Sequence, residues 1–443
     1  MKEENPVDCQ VTKSNFQIED GELELLLPSK SKKGLSWQLA ILFIVGEIVG
    51  GGVVAMGDAT VNAGWWSIGL MMFSLFSNLF MTKILVEIVA LIGDEAYKTR
   101  DPYTRAIECA FGKKVKFFSS IILHSLNISV TTVYLILSTE LLIMFFDEFA
   151  PILTTTLGFR LWLCILVAIL IPITWLGTPS DYWIVALFAS FTTICSAILI
   201  STSLLLNRPS DISKVPVRNV TPVSFFFGMG SILFAFCGVP FLPNIQSDMK
   251  DGKMLFKSSI FSYVIVASVY VPIGILGIVL LGNNINPNVV MNVIDQSKSL
   301  QNVYLKGILK KLAYTALVLL AGHFLFAYNL VFNSLAQELE EILKIKRVFC
   351  WQRCLLRTVF VLLTLILAQT IPKFEIILSL AGGVLMTSLS YIIPSLMYIK
   401  LIDNVSISYK CIMAVICTGA AIACFGSIYS SAIKIFNFYK NPV

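Results

Sequence analysis

Runs of about 20 apolar residues recur along this chain, and a run of that length crosses the hydrocarbon core of a bilayer. Each run must be helical, because lipid offers no hydrogen-bond partner to a free backbone group. Hydrophobic residues fill 56% of the 443 positions and charged residues only 14%, well below the share of a soluble domain. These values exclude a soluble enzyme, a nucleic-acid-binding domain and a fibrous protein.

The apolar runs predict an all-α integral membrane protein with eleven spans. A polar tail, 1–36, precedes one transmembrane domain, 37–432, and we expect this tail to be disordered in the cytoplasm. The predicted spans are 37–63, 65–92, 118–146, 160–177, 181–206, 222–245, 256–281, 309–336, 355–371, 374–399 and 411–432.

The distribution of Lys and Arg predicts the orientation. With the N-terminus in the cytoplasm, 21 basic residues lie inside and 11 outside, as the positive-inside rule favours. This orientation places the sequon at Asn219 outside, where N-glycosylation requires it. We therefore predict that Asn219 is glycosylated.

Two halves of nearly equal length organise the membrane domain. Five spans fall in 37–206 and five in 222–400, and 411–432 follows as an extra helix. Because five is odd, the second half crosses the membrane with inverted topology. The first span of each half is interrupted by glycine or proline, which in transporters is the best sequence pointer to the binding site.

The interruptions predict where a zwitterion would bind. Gly50, Gly51 and Gly52 each cost about 1 kcal/mol in a helix relative to Ala, so an unwound stretch with free N–H groups is expected. Such groups at a helix N-terminus suit a carboxylate. Unwound carbonyls in the sixth span, near 235–238, suit an ammonium group. The alternative is that these small residues only allow close helix packing.

The predicted substrate contacts are therefore mostly backbone groups at the two breaks. Aromatic side chains next to the breaks would close over the ligand, although an aromatic residue in an apolar helix is more often a packing residue. The complete predicted set is Glu47, Val49, Gly50, Gly51, Gly52, Tyr134, Phe234, Ala235, Phe236, Cys237 and Gly238.

Three segments resemble the amino acid/auxin permease family, the transmembrane amino acid transporters, and among them the proton-coupled type. They are Ile48–Ala55 followed by Ala63–Trp66, Ile232–Gly238 with Pro243–Lys250, and Leu378–Gly383 leading to Pro394. The resemblance covers 37–432. It implies a LeuT-like fold of the APC superfamily, a five-plus-five inverted repeat with broken helices 1 and 6, and secondary transport of amino acids by alternating access.

Two departures from the family pattern bear on the coupling ion. The sodium-coupled branch has an asparagine where this chain has Gly46, and hydroxyl residues where it has Ala321 and Gly322. The chain also lacks the proline and tyrosine that members often place near Gly57 and Asp58. These departures therefore favour proton coupling or exchange over sodium coupling.

Ionisable residues inside a membrane span are functional hypotheses by default. Glu47 lies beside the first break and would bind the substrate ammonium or carry the coupling proton, or else be a buried structural carboxylate. His323 lies in the middle of the eighth span, and an imidazole exchanges a proton near neutral pH. We predict Glu47 and His323 as the ion-coupling residues, with a packed neutral histidine as the alternative for His323.

Other intramembrane polar residues are weaker candidates. Asp58 is expected to be a solvated vestibule residue, and Lys83 with Glu87 a local i, i+4 pair. Glu140 would face the site or pair across helices. His124, near the inner end of the third span, is expected to be structural.

The sequence shows no motif for catalysis, ATP binding or a metal, so we predict no enzyme activity and no cofactor. Most cysteines lie in apolar runs and are interpreted as small fillers. In the tail, Glu22, Leu26 and Leu27 match an acidic di-leucine sorting signal for endosomes and lysosomes, or else are part of an unstructured segment.

The sequence thus predicts a multi-pass transporter in the plasma or an endosomal or lysosomal membrane. Its partners would be a small neutral amino acid, a coupling ion and the lipid bilayer, with no nucleic acid. An amino-acid sensor that signals through its tail is the main alternative. A channel is disfavoured, because no repeated pore-lining motif is visible.

Overall fold

The computed structural model describes residues 34–93, 101–175, 182–209, 211–299, 301–345 and 349–440. Within these ranges the chain is helical and forms no β-strand. Residues 1–33, which include the predicted sorting residues Glu22, Leu26 and Leu27, lie outside the described part.

Eight α-helices form the first half of the domain. In chain order they are α1 (Trp37–Ile48), α2 (Gly51–Ala63), α3 (Trp66–Ile92), α4 (Pro102–Phe111), α5 (Lys113–Phe149), α6 (Pro151–Thr156), α7 (Phe159–Trp175) and α8 (Tyr182–Leu206).

The second half and the extra helix add nine more in the described ranges. They are α9 (Pro222–Phe236), α10 (Leu242–Asp248), α11 (Leu255–Leu276), α12 (Val289–Ser299), α13 (Val303–Ile342), α14 (Trp351–Thr370), α15 (Phe374–Leu380), α16 (Ile393–Leu401) and α17 (Ile407–Lys440). Short 3-10 and π-helical turns join several of them.

The described helices agree closely with the predicted spans in position. Nine spans are long and apolar enough to cross a membrane, and α1 with α2 makes a tenth if that bent pair is one span. The helix α7 is apolar but has only 17 residues. The count of eleven spans therefore stays a prediction, while the all-helical membrane architecture is confirmed.

Breaks occur in both halves at the predicted positions. The pair α1 and α2 is bent by 56°. After α9 ends at Phe236, Cys237 is extended, and a 3-10 turn at Val239–Phe241 leads into α10. In the tenth predicted span, α15 and α16 are joined by two π-helical turns, Ala381–Met386 and Ser388–Ile392.

The broken helices lie at the centre of the packing. The helix α2 packs along α9, α1 packs against α8 and α11, and α13 packs against α5 and α8. All thirteen residues of α2 are buried, as are the last ten of α9. Any chemistry at the breaks therefore takes place inside the helix bundle.

Candidate functional site

The first break is shorter than the glycine triplet predicts. Only Val49 and Gly50 leave the helix, while Gly51 and Gly52 already belong to the first turn of α2. That turn closes because the Val53 N–H donates to the Gly50 carbonyl over 3.0 Å. The predicted unwinding across Val49–Gly52 is thus confined to its first two residues.

The free donors at this break are the N–H groups of Gly51 and Gly52. The Val49 N–H is committed to the Val45 carbonyl at 2.7 Å, and the Gly50 N–H to the Ile48 carbonyl at 3.1 Å. The first N–H groups of a helix have no acceptor within it. A carboxylate at this break would therefore be held by two of the four predicted residues, at the positive end of the α2 dipole.

The second break offers free acceptors. The Cys237 N–H donates to the Leu233 and Phe234 carbonyls, and the Phe241 N–H donates to the Gly238 carbonyl. No donor among the described residues bonds to the carbonyls of Ala235, Phe236 or Cys237. Three of the four carbonyls predicted near 235–238 are thus available to an ammonium group.

The two breaks are in direct contact. A Cβ atom on Gly52 would lie 2.7 Å from the Ala235 Cβ, and one on Gly238 would lie 2.7 Å from Ile48 Cγ1. Glycine is needed at both positions for this close approach. Tyr270 of α11 completes the junction, since its hydroxyl donates to the Ile48 carbonyl over 2.9 Å. The helix end with free N–H groups therefore faces the one with free carbonyls.

Tyr134 and His323 converge on Gly50. The point that a Gly50 Cβ would occupy lies 2.7 Å from Tyr134 Oη and 3.4 Å from His323 Nε2. His323 is fully buried, and within the described ranges its Nε2 has no hydrogen-bond partner. Tyr134 Oη likewise bonds to no described residue. We call this space the Gly50 cradle: a polar ligand atom placed there would meet both side chains.

Glu47 is not among the nearest neighbours of the Gly50 cradle, although it shares a crevice with Tyr134. It lines a small crevice on the α1 side of the break and is solvent-accessible there, although helices surround it. The crevice is lined by Phe43, Gly46, Glu47, Tyr134, Ala189, Ala327, Leu330 and Val331. Glu47 bonds to no described residue, so it is not the structural carboxylate that the sequence left open.

The predicted aromatic residues of α9 are packing residues in this conformation. Phe236 is fully buried, with its ring centroid 5.3 Å from that of Tyr270. Phe234 is 8% exposed and lies against Gly382, where a Cβ would come 2.6 Å from the Phe234 Cβ.

A hydrogen-bond network that the sequence did not predict braces the second break. The Cys237 thiol donates to the Tyr391 hydroxyl at 3.3 Å, and Asn78 Nδ2 donates to the same hydroxyl at 3.0 Å. A buried tyrosine hydroxyl usually finds a partner. The presence of Tyr270 and Tyr391 in otherwise apolar spans was therefore the sequence signal that could have predicted such hydrogen bonds.

Asp58 corrects the sequence interpretation, because it is buried rather than solvated. Arg218, from the loop before α9, pairs with Asp58 Oδ1 at 3.4 Å and donates to Asn62 Oδ1 at 3.0 Å. The same guanidinium donates to Asn283 at 3.0 Å, and the Asn283 N–H donates to the Pro216 carbonyl. This Arg218 network ties the α9 entry loop to the far end of α2.

The opposite end of the bundle contains a cavity of about 440 Å³. It reaches the second break at Pro240 and Phe241, directly after Gly238. Glu108 is bonded to Lys116, one of the residues that line this cavity. Burial raises the pKa of Glu108, but the hydrogen bonds from Lys116 and Arg105 outweigh this effect, so the pKa is lowered. The lining comprises Asp101, Thr104, Lys113, Lys116, Phe117, Ser120, Leu123, Asn127, Pro240, Phe241, Asn244, Ser334, Gln337, Glu338 and Ile342.

The remaining ionisable residues have structural partners. Asn288 donates to Glu140 at 2.9 Å, which is the pairing across elements that the sequence allowed. Glu87 accepts from the Tyr398 hydroxyl at 2.7 Å, and Lys83 lies 5.8 Å from the centre of the Tyr409 ring. His124 lies 3.6 Å from Glu338.

Nothing in the described ranges suggests a metal site. No group of three or more His, Cys, Asp or Glu residues is arranged to hold an ion there. Eight of the described cysteines are free, and Cys237 among them lies at the second break.

The family model for transmembrane amino acid transporter proteins matches residues 33–434. Amino acid transporter AVT1H of Arabidopsis thaliana is 25% identical over 85% of this chain and 84% of its own length. Lysine histidine transporter-like 3 of the same plant is 22% identical over 95% and 94%. The vesicular GABA transporter of Caenorhabditis elegans is 24% identical over 98% and 85%. These relatives are transporters rather than enzymes.

Solved structures support the same fold. MhsT in complex with L-phenylalanine superposes with a TM-score of 0.58 at 13% identity, covering 90% of this chain and all of that one. A manganese transporter from Eremococcus coleocola gives 0.51 at 13% identity, over 94% and 99%. Both are LeuT-fold transporters. With a family model that spans nearly the whole membrane domain, the chain belongs to the transmembrane amino acid transporter family, as the sequence motifs predicted.

Proposed function

We propose that this protein is a secondary active transporter that moves small neutral amino acids across a membrane by alternating access, coupled to protons. The observation that carries the proposal is the contact between two broken helices, one with free N–H groups at Gly51 and Gly52 and the other with free carbonyls at Ala235–Cys237. An α-amino acid carries the complementary charges, a carboxylate and an ammonium group, on one carbon atom.

The substrate carboxylate would accept from the Gly51 and Gly52 N–H groups and from the Tyr134 hydroxyl. Its ammonium would donate to the carbonyls of Ala235, Phe236 and Cys237. Apart from His323, the side chains that contact the two breaks are uncharged, so a charged substrate side chain would have no ion-pair partner there. The rings of Tyr134 and Phe324, stacked at 5.5 Å, limit the space and favour a small side chain.

His323 is the better candidate for the coupling proton. A neutral Nε2 presents a lone pair to the Gly50 cradle, which repels a carboxylate oxygen bound nearby. A protonated Nε2 donates a hydrogen bond to that oxygen instead. Proton and substrate would therefore bind cooperatively, as symport requires. Glu47 lies outside the cradle, and we assign it a secondary role in the crevice rather than substrate contact.

The two ends of the bundle support alternating access. The Arg218 network closes the end that the charge distribution assigns to the outside, whereas the cavity of about 440 Å³ lies at the end assigned to the cytoplasm. This arrangement corresponds to an inward-facing state. Transport would require the Arg218 network to open in the outward-facing state.

Membrane location and modification are further proposals. Asn219 is exposed in the loop before α9, so a glycosyl transferase can reach it if that loop is luminal or extracellular. The di-leucine signal at Glu22, Leu26 and Leu27 would direct the protein to endosomes or lysosomes. Mass spectrometry of the glycan and imaging of a Leu26→Ala, Leu27→Ala variant test these two points.

Uptake by purified protein in liposomes tests the proposed function. A labelled mixture of amino acids is offered under an inward proton gradient, an inward sodium gradient, or none. We expect accumulation of small neutral amino acids under the proton gradient only. Accumulation under sodium would contradict proton coupling, and binding without accumulation in any gradient would favour the sensor alternative.

A further inference from the structure

Two acceptors surround the second imidazole nitrogen of His323. His323 Nδ1 lies 2.7 Å from Thr193 Oγ1 and 3.2 Å from the Ala189 carbonyl, both on α8. Thr193 Oγ1 itself donates to that carbonyl at 2.8 Å. Thr193 and His323 are both fully buried, so no water competes for these bonds.

These distances favour one tautomer of the neutral imidazole. The Ala189 carbonyl can only accept, so a lone pair on Nδ1 would face its oxygen at 3.2 Å. A hydrogen on Nδ1 removes this repulsion and lets the Thr193 hydroxyl accept from Nδ1 while it donates to Ala189. The lone pair of the neutral ring is therefore on Nε2, the nitrogen that has no partner among the described residues.

We infer that Thr193 is a positioning residue for proton coupling: it holds His323 as the Nδ1–H tautomer, with the Nε2 lone pair directed at the Gly50 cradle. This inference rests on the proposed function. When Nε2 takes up the proton, Thr193 Oγ1 accepts a charge-assisted hydrogen bond from Nδ1–H, so the hydroxyl stabilises the protonated ring more than the neutral one.

The other elements packed around the ring bring little competing charge. Tyr134 of α5 faces it edge-on, with ring centroids 6.3 Å apart. Glu47 of α1 lines a crevice that Tyr134 and Ala189 also line, and it makes no ion pair or hydrogen bond to His323. The helix α8, Tyr182–Leu206, contains no Asp, Glu, Lys, Arg or His. Thr193 is therefore the closest side chain that distinguishes the two protonation states.

The test compares Thr193→Val with Thr193→Ser in liposomes. Valine keeps the shape of threonine and removes the hydroxyl, whereas serine keeps the hydroxyl. Initial uptake of labelled alanine is measured against pH in each variant. For Thr193→Val we expect the pH of half-maximal uptake to fall by about one unit, a tenfold loss of proton affinity. For Thr193→Ser we expect the wild-type profile.

An unchanged pH profile in Thr193→Val would overturn the inference, and so would an equal shift in Thr193→Ser. If Thr193→Val does not fold, Thr193→Ala removes the same hydroxyl and gives the same readout. Failure of the proposed function looks different, because the unmodified protein would then show no uptake in any gradient.

Discussion

The two helix breaks differ in what surrounds them, although both interrupt an apolar span near a glycine. At the first break, Tyr134 Oη and His323 Nε2 have no hydrogen-bond partner among the described residues. At the second, Cys237 is bonded to Tyr391, which also accepts from Asn78. The first break therefore retains unused hydrogen-bonding capacity, whereas the side chains at the second are braced. Side-chain contacts to the ligand and the coupling ion are therefore expected at the first break, whereas the second break would contribute its backbone carbonyls.

Replacing His323 by glutamine should have the largest effect and test this contrast directly. Glutamine retains hydrogen-bonding capacity but does not titrate near neutral pH, so we expect proton-driven accumulation to fall at least tenfold, while exchange of internal for external substrate persists. Both are measured in the same liposomes.

The matched control is Glu47→Gln, which removes the other candidate carrier of the coupling proton. It should leave the pH profile of uptake unchanged, because Glu47 faces the crevice rather than the Gly50 cradle. Undiminished proton-driven accumulation in His323→Gln would contradict the assignment of His323.

Removing the Tyr134 hydroxyl should weaken substrate binding without weakening the fold. Tyr134→Phe loses no hydrogen bond within the protein, since Oη has none to the described residues. A bond to the substrate carboxylate is charge-assisted, so its loss should raise the KM about tenfold. Uptake kinetics and thermal unfolding of the same preparation measure both properties. A normal KM would mean that the substrate does not reach the cradle.

The sequence predicted the positions of both breaks because glycine and proline have strong local effects on a helix. It overestimated the length of the first break, because helix propensity does not reveal that the Val53 N–H donates to the Gly50 carbonyl and closes a turn there. It also predicted short spans where α13 and α17 continue as helix into polar sequence. The length of an apolar run reflects the thickness of the membrane, whereas the residue at which a helix ends depends on its capping, so the helix can be longer than the apolar run.

Side-chain partners far apart in the chain could not be predicted. Asp58 appeared solvated because its partner, Arg218, lies 160 residues away in a loop. Thr193 was unremarkable in an apolar helix, and only packing of α8 against α13 places it beside His323. Backbone groups at the candidate site were thus predictable from glycine positions, but the tautomer of a histidine depends on tertiary structure.

Opening the Arg218 network should change the side from which the breaks are reached. Arg218→Ala removes the ion pair to Asp58 and the bonds to Asn62 and Asn283, so the outward-facing state should become several-fold more populated. Val61 is buried next to this network and makes no bond to Arg218, so labelling of a Val61→Cys reporter by an impermeant thiol reagent, with and without Arg218→Ala, measures this change. Equal labelling rates would show that the network does not hold the outer end closed.

The smallest effect on transport is expected at the braced break. Tyr391→Phe removes the hydroxyl that accepts from Cys237 and Asn78, but Asn78 Nδ2 keeps its 2.7 Å bond to the Ser74 carbonyl. We expect about 1 kcal/mol less stability from the lost bonds and a KM within twofold of wild type. This is the opposite of Tyr134→Phe, which should alter KM and spare stability. A large KM change in Tyr391→Phe would mean that the second break recognises the substrate through its side chains as well as its carbonyls, and the contrast between the two breaks would then fail.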